Sequence, residues 1–154
     1  MPSGEAHNYI FKGTKNLEFE DKSGDWISNK KGVSGATALG DLDNDGDIDL
    51  VVSNINEDVS LYINQTNEKA NYLQLKFSYP APNTFGIGTK VYAYEQGKLQ
   101  FKELYTVRGF QSSSEPMVHF GYGAIQQVDS ITIVWPNKTY QTLKNIAVNQ
   151  RMTI

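Results

Sequence analysis

The chain has 154 residues, 39% hydrophobic and 12% aromatic, with no cysteine, a formal net charge of −3 and a pI near 5.3. This excludes a disordered tail, a disulfide scaffold and a thiolate metal site, and it allows one medium domain or two small ones with a real core. No Lys/Arg cluster tracks phosphates, which argues against nucleic acid as a partner, and no apolar run approaches the ~18 residues of a membrane span.

The opening "MPSGEAHNYI" lacks the basic start and apolar centre of a signal peptide. It leads straight into a turn and a strand, so we expect a piece of a longer protein. No helical period is visible. Runs rich in Val, Ile, Tyr and Phe alternate with Gly, Asn, Asp and Pro, the pattern of an all-β chain. "NYIF" and "LEFED" read as a hairpin joined by "KGTKN". "TALGD" enters and "IDLVVSN" leaves an acidic loop, and "VSLYIN" follows. "YLQLKF" alternates strictly, which predicts Leu73, Leu75 and Phe77 buried on one face and Gln74 and Lys76 more exposed on the other. "KVYAYE" and "LQFKELYTV" flank "QG", a hairpin turn. "MVHFGYG", "SITIVW", "YQTL" and "MTI" complete the strands. Composition shifts at "NQTNEKAN", from Asp- and Asn-rich turns to longer alternating strands, so two parts are expected, 1–67 and 68–154. "HNYIFKGTKNLEFED" and "VSLYINQTNEKANYLQL" echo one another weakly, a hint of repeated blades.

The acidic loop is "ALGDLDNDGDIDLVVSN". Asp41, Asp43, Asp45, Asp47 and Asp49 stand on alternate positions, five of the chain's 17 acids within nine residues. Like charges this dense repel one another unless a cation neutralises them. Calcium takes six to eight oxygen ligands. Carboxylates at loop positions 1, 3 and 5 (Asp41, Asp43, Asp45) can converge on one point, Gly46 permits the reversal, the Asp47 carbonyl is placed to contribute, and Asp49 closes the shell. Position 12 is Val52 and the flanks are strand-like, so this is not an EF-hand. Magnesium demands a stricter octahedron, so calcium is the expected ion.

"GATALGDLDNDGDIDLVVSN", with "VSLYIN" after it, resembles an FG-GAP/VCBS repeat, the blade unit of integrin-type β-propellers. The resemblance spans residues 8 to 67. It implies that Asp41, Asp43, Asp45, Asp47 (through its carbonyl) and Asp49 bind calcium. Residues 70 to 154 resemble an ASPIC/UnbV domain through "GIGTKVYAY", "RGFQSSSEPMVHFGYG" and "VDSITIVWPNKTYQTL". "HFGYG" stands where "HFGLG" is usual, and "WPNK" where "WPDG" or "WPSG" is usual. Such domains follow propeller-type repeats in cartilage acidic protein and in bacterial surface or secreted proteins. An extracellular or cell-surface location, with the bacterial envelope foremost, is what the resemblance implies.

Other motifs invite chemistry. Ser112 to Ser114, His119 and Asp129 suggest a Ser-His-Asp hydrolase, but no G-x-S-x-G is present. The serines read as a turn, and His119 as a hydrogen-bonded structural residue on a strand. "GIGTK" lacks the glycine spacing of a phosphate loop and precedes a strand, so Gly86 and Gly88 read as a tight turn. Trp135 continues the inward face of Ile131 and Ile133. Trp26, in "SGDWISNKKG", reads as a loop residue free to contact a partner. "NQT" at Asn64 and "NKT" at Asn137 fit glycosylation sequons, which matter only in a eukaryotic secretory host.

The expectation is an all-β protein: a propeller-blade-like sheet with a calcium loop, then a β-sandwich-like or barrel-like domain. Its expected role is a non-catalytic, calcium-binding module for an extracellular protein or glycan ligand. A carbohydrate-binding module using Trp26 and surface tyrosines, and a Ser/His hydrolase, are the alternatives.

Overall fold

The computed structural model describes residues 6–14, 16–28, 30–66 and 70–154. The expected boundary between residues 67 and 68 lies outside the described residues. Among the described residues the fold is all-β, with one single-turn helix.

Strands β1 (Phe11–Gly13) and β2 (Phe19–Asp21) form the expected antiparallel hairpin. Helix α1 (Ser23–Trp26) follows, so Trp26 ends a helical turn and is not in a loop. The Asp21 carboxylate starts that turn by accepting bonds from the Ser23 N–H and hydroxyl, at 2.8 and 2.6 Å. Strands β3 (Ser34–Gly40), β4 (Asp49–Asn54) and β5 (Ser60–Tyr62) build a three-stranded antiparallel sheet with β4 in the middle. The aspartate loop connects β3 to β4.

The C-terminal part is a sandwich and does not close into a barrel. One layer is β11 (Val118–Gly123), β6 (Asn71–Lys76) and β14 (Gln150–Thr153), with β14 running parallel to β6. The other is β13 (Tyr140–Ala147), β12 (Gln127–Val134), β7 (Lys90–Glu95) and β8 (Lys98–Glu103). Alternation fills the space between them. Leu73, Leu75 and Phe77 meet Val118, Phe120, Val91, Ala93, Val128, Ile131 and Ile133 in one continuous apolar cluster. Trp135 packs half-buried against this cluster, with its ring edge-on to Phe77 and stacked on Tyr79.

The turns follow their residue chemistry. Gln96 and Gly97 both have positive φ, 46° and 77°, and close a two-residue turn between Glu95 and Lys98. A left-handed pair suits the twist of the flanking strands. Gly86 and Gly88 also take positive φ, and the Thr89 N–H bonds back to the Gly86 carbonyl at 2.9 Å.

Four expectations need correction. "LQFKELYTV" breaks into β8 and β9 (Val107–Gly109), because the chain turns away after Glu103. Ser112 and Ser113 form β10 (Ser112–Ser113), paired with β9 around Phe110 and Gln111, where Gln111 takes a φ of 48°. The two echoing segments are not equivalent: the first is the β1–β2 hairpin, while the second links β5 and β6, which lie in different sheets. Gln74 is buried, at 1% exposure, whereas half-buried Lys76 is, as expected, more exposed than Leu73, Leu75 and Phe77. The outer face of the β11-β6-β14 layer is covered at Gln74, so this polar residue is enclosed, while Arg151 and Thr153 on the same face stay exposed.

Candidate metal centre

That cover is the aspartate loop. Asn44 and Gly46 take positive φ, 63° and 98°, and reverse the chain. The loop's own amides bind its carboxylates: Asp45 N–H to Asp43 Oδ1 at 3.3 Å and Asp47 N–H to Asp45 Oδ1 at 3.0 Å. Asp49 is buried and ties the loop at both ends. Its Oδ2 accepts from Leu42 N–H and its Oδ1 from Asn64 N–H, both at 2.8 Å. The Asp47 carboxylate faces the other way and accepts from the N–H and hydroxyl of Thr66, at 2.8 and 3.2 Å.

One carboxylate oxygen from each of Asp41, Asp43 and Asp49 lies within 4.8 Å of the others. Of the five expected ligands, these three carboxylates are brought together. The Asp45 and Asp47 carboxylates are outside the group, and that of Asp47 is bonded to Thr66. Asp41 is the telling member. Its side chain is 2% exposed, and its Oδ2 accepts from Gln74 Nε2 at 2.8 Å and from Arg151 Nη2 at 3.3 Å. Its Oδ1 is buried with no hydrogen-bond partner. A buried carboxylate oxygen left unpaired is costly. A hard cation between the three carboxylates would satisfy it, so the donor set fits calcium in charge and in oxygen chemistry. Desolvation, and after it the Asp45 and Asp49 charges, push the Asp43 pKa up, against the opposing pull of the Asp45 N–H.

Gln74 and Arg151 are the residues that sequence reasoning missed. Strict alternation in "YLQLKF" assigned Gln74 to solvent, and nothing local announces a partner 33 residues upstream. His119, Gln74 and Arg151 stand side by side across β11, β6 and β14. Tyr72 lies on the same face, its ring stacked on His119 with centroids 6.1 Å apart.

The proposed triad residues are not joined by hydrogen bonds. Asp129 Oδ2 accepts from Gln96 N–H, and the Ser114 hydroxyl accepts from Leu39 N–H. His119 Nδ1 is buried without a partner, so its role is packing on Tyr72 and not the expected structural hydrogen bond. Burial, then the Lys102 charge, lowers its pKa to about 4, with Asp41 opposing. Trp26 is 51% exposed and lines a groove of about 440 Å³ with Ile10, Ile27, Leu50 and Tyr62. No described helix is long and apolar enough to cross a membrane.

In class, the chain is an all-β protein with a sandwich carrying an acidic loop on its outer face. Residues 79–154 match the family model described as ASPIC and UnbV. No curated protein matches the chain.

Proposed function

We propose that this chain is a non-catalytic calcium-binding module of an extracellular or cell-surface protein, and that it serves the binding of a protein or glycan. The aspartate loop is read as the calcium loop of an FG-GAP/VCBS-type blade formed by β3, β4 and β5, with the ASPIC/UnbV region beside it. The observation that carries this reading is the Asp41 carboxylate, which is clustered with those of Asp43 and Asp49 and whose buried Oδ1 has no hydrogen-bond partner. Asp41, Asp43, Asp45 and Asp49 would hold the ion through carboxylates and Asp47 through its carbonyl. The exposed apolar side chains of the N-terminal part, including Phe11, Phe19, Leu61 and Ile63, suit a blade that has neighbours.

The test is thermal melting in EDTA or calcium at matched ionic strength. Extracellular modules bind calcium at ~10⁻⁴–10⁻³ M, so millimolar calcium is required. At about 100-fold over the dissociation constant the stabilisation is roughly 2.7 kcal/mol. Asp43→Asn, which keeps the side chain's size and removes its charge, should abolish most of that gain. Identical wild-type melting curves in the two conditions would sink the reading.

Trp26 supports a second reading, a carbohydrate-binding module, because the indole is exposed beside Tyr62 at an open groove. Under it, Trp26→Ala removes glycan binding while changing stability by no more than about 0.5 kcal/mol. Retention on the same glycans after that substitution would dismiss it.

A further inference from the structure

The sandwich does more than support the loop. Asp41 belongs to the acidic cluster, yet the side-chain bonds it accepts come from β6 and β14 of the sandwich. Gln74 Nε2 donates to Asp41 Oδ2, and Arg151 Nε donates to Gln74 Oε1 at 2.7 Å. With Oδ2 occupied, the carboxylate is held with Oδ1 as its remaining acceptor. The second contact is steric. A Cβ at Gly46 would lie 1.9 Å from Cε1 of Tyr72, so the ring presses directly on the backbone at the loop's reversal. Tyr72 and Gln74 are two residues apart on β6 and share the outer face of their sheet.

We propose that the C-terminal sandwich completes the ion site: Gln74, anchored by Arg151, is a positioning residue for Asp41, Tyr72 holds the reversal at Gly46, and ion binding is coupled to docking of the loop on the sheet. This rests on the calcium reading above. A carboxylate fixed in advance loses little freedom when an ion binds, and removing such outer hydrogen bonds weakens metal affinity. The coupling is reciprocal, so an ion that favours the docked Asp41 also strengthens the docking. Arg151 acts in two directions. Its charge competes with a cation for Asp41, but at 3.3 Å that contact is the longer one, and the 2.7 Å bond to Gln74 sets its main effect.

The experiment is calorimetric titration of the whole chain with calcium chloride, with melting temperature measured alongside. Gln74→Met keeps the side chain's length and removes its donor and acceptor, and it should weaken the calcium Kd about tenfold. Arg151→Met should weaken it less, because loss of the competing charge offsets part of the effect. Tyr72→Phe keeps the ring and should stay close to wild type, whereas Tyr72→Ala should not. A merely structural role would lower the melting temperature of the ion-free chain without moving Kd. In case Gln74→Met fails to fold, NMR of the wild type gives an independent reading. The Gln74 side-chain amide and the loop amides should shift with one calcium midpoint. Calcium binding by the wild type with an unchanged Kd in folded Gln74→Met, or with a Gln74 amide that does not move, overturns the coupling and leaves the calcium reading intact. A wild type that takes up no calcium overturns both.

Discussion

Among the described residues, Val52 is the one fully buried hydrophobic side chain of the N-terminal part, whereas the C-terminal part buries a continuous apolar cluster from Leu73 to Val148. The N-terminal part encloses Ser23, Asp47 and Asp49 instead. Tyr9, Phe11, Phe19, Leu39, Leu61 and Ile63 stay exposed there. One half is therefore organised by apolar burial and the other by hydrogen bonds to carboxylates. Apolar burial is self-sufficient in water, while a cluster of acids holds its shape only when its charge is answered. The C-terminal sandwich should fold on its own terms, and the N-terminal sheet conditionally.

The largest expected effect tests the first half of that contrast. Phe120 is fully buried between the two layers, so Phe120→Ala should cost about 3–5 kcal/mol in denaturant melts. Val52→Ala removes fewer apolar atoms from a thinner core and should cost roughly 1–2 kcal/mol. Equal costs at the two positions would mean that the N-terminal part has an apolar core of its own, and the contrast would fail.

The next effect lies on the seam between the parts. Gly46→Ala combines a φ of +98° with a Cβ placed 1.9 Å from the Tyr72 ring. Strain and overpacking together should cost about 2 kcal/mol. The loss should appear as faster amide exchange in the loop and in β4, with Val91, Ile131 and Ile133 still protected. Uniform loss of protection across the sandwich would show that the seam is part of one cooperative unit.

These regions also differ in how far they can be read from sequence. Period-two alternation located the sandwich core at Leu73, Leu75, Phe77, Ile131 and Ile133, because apolar burial imprints itself on neighbouring positions. The Gln96–Gly97 turn was equally legible, since left-handed residues there are a local requirement. Aspartates on alternate positions marked the loop, but they could not show that Asp41, Asp43 and Asp49 converge while the Asp47 carboxylate turns to Thr66. Gln74 was misassigned because alternation records which face a residue takes, and here the opposite face is covered too. Its partners, Asp41 and Arg151, lie 33 and 77 residues away, a distance over which no local pattern carries information. The parallel pairing of β14 with β6 was hidden for the same reason.

The smallest effect concerns pH, and it also reads the seam. His119 faces Tyr72, with Lys102 and Asp41 as the charged groups that act on it. Its pKa is about 4 when folded, against 6.5 in a free side chain. Between those values the unfolded imidazole binds a proton that the folded one refuses. Stability from this group is therefore complete above pH 6.5, falls as the pH drops toward 4, and falls no further below that. The ring is only partly enclosed, so solvent screening reduces the effect to about 1 kcal/mol. Carboxylates titrate over the lower part of the same range, which makes the difference between two proteins the right measurement. His119→Gln removes the titration, and its stability should decline less steeply than that of the wild type between pH 6.5 and 5. Because His119 stands beside Gln74 on the face that carries the loop, the wild-type loss should show first in exchange of the loop amides. Equal slopes for the two proteins would mean that the imidazole is protonated as easily when docked as when free, and that the loop does not enclose this face of the sheet.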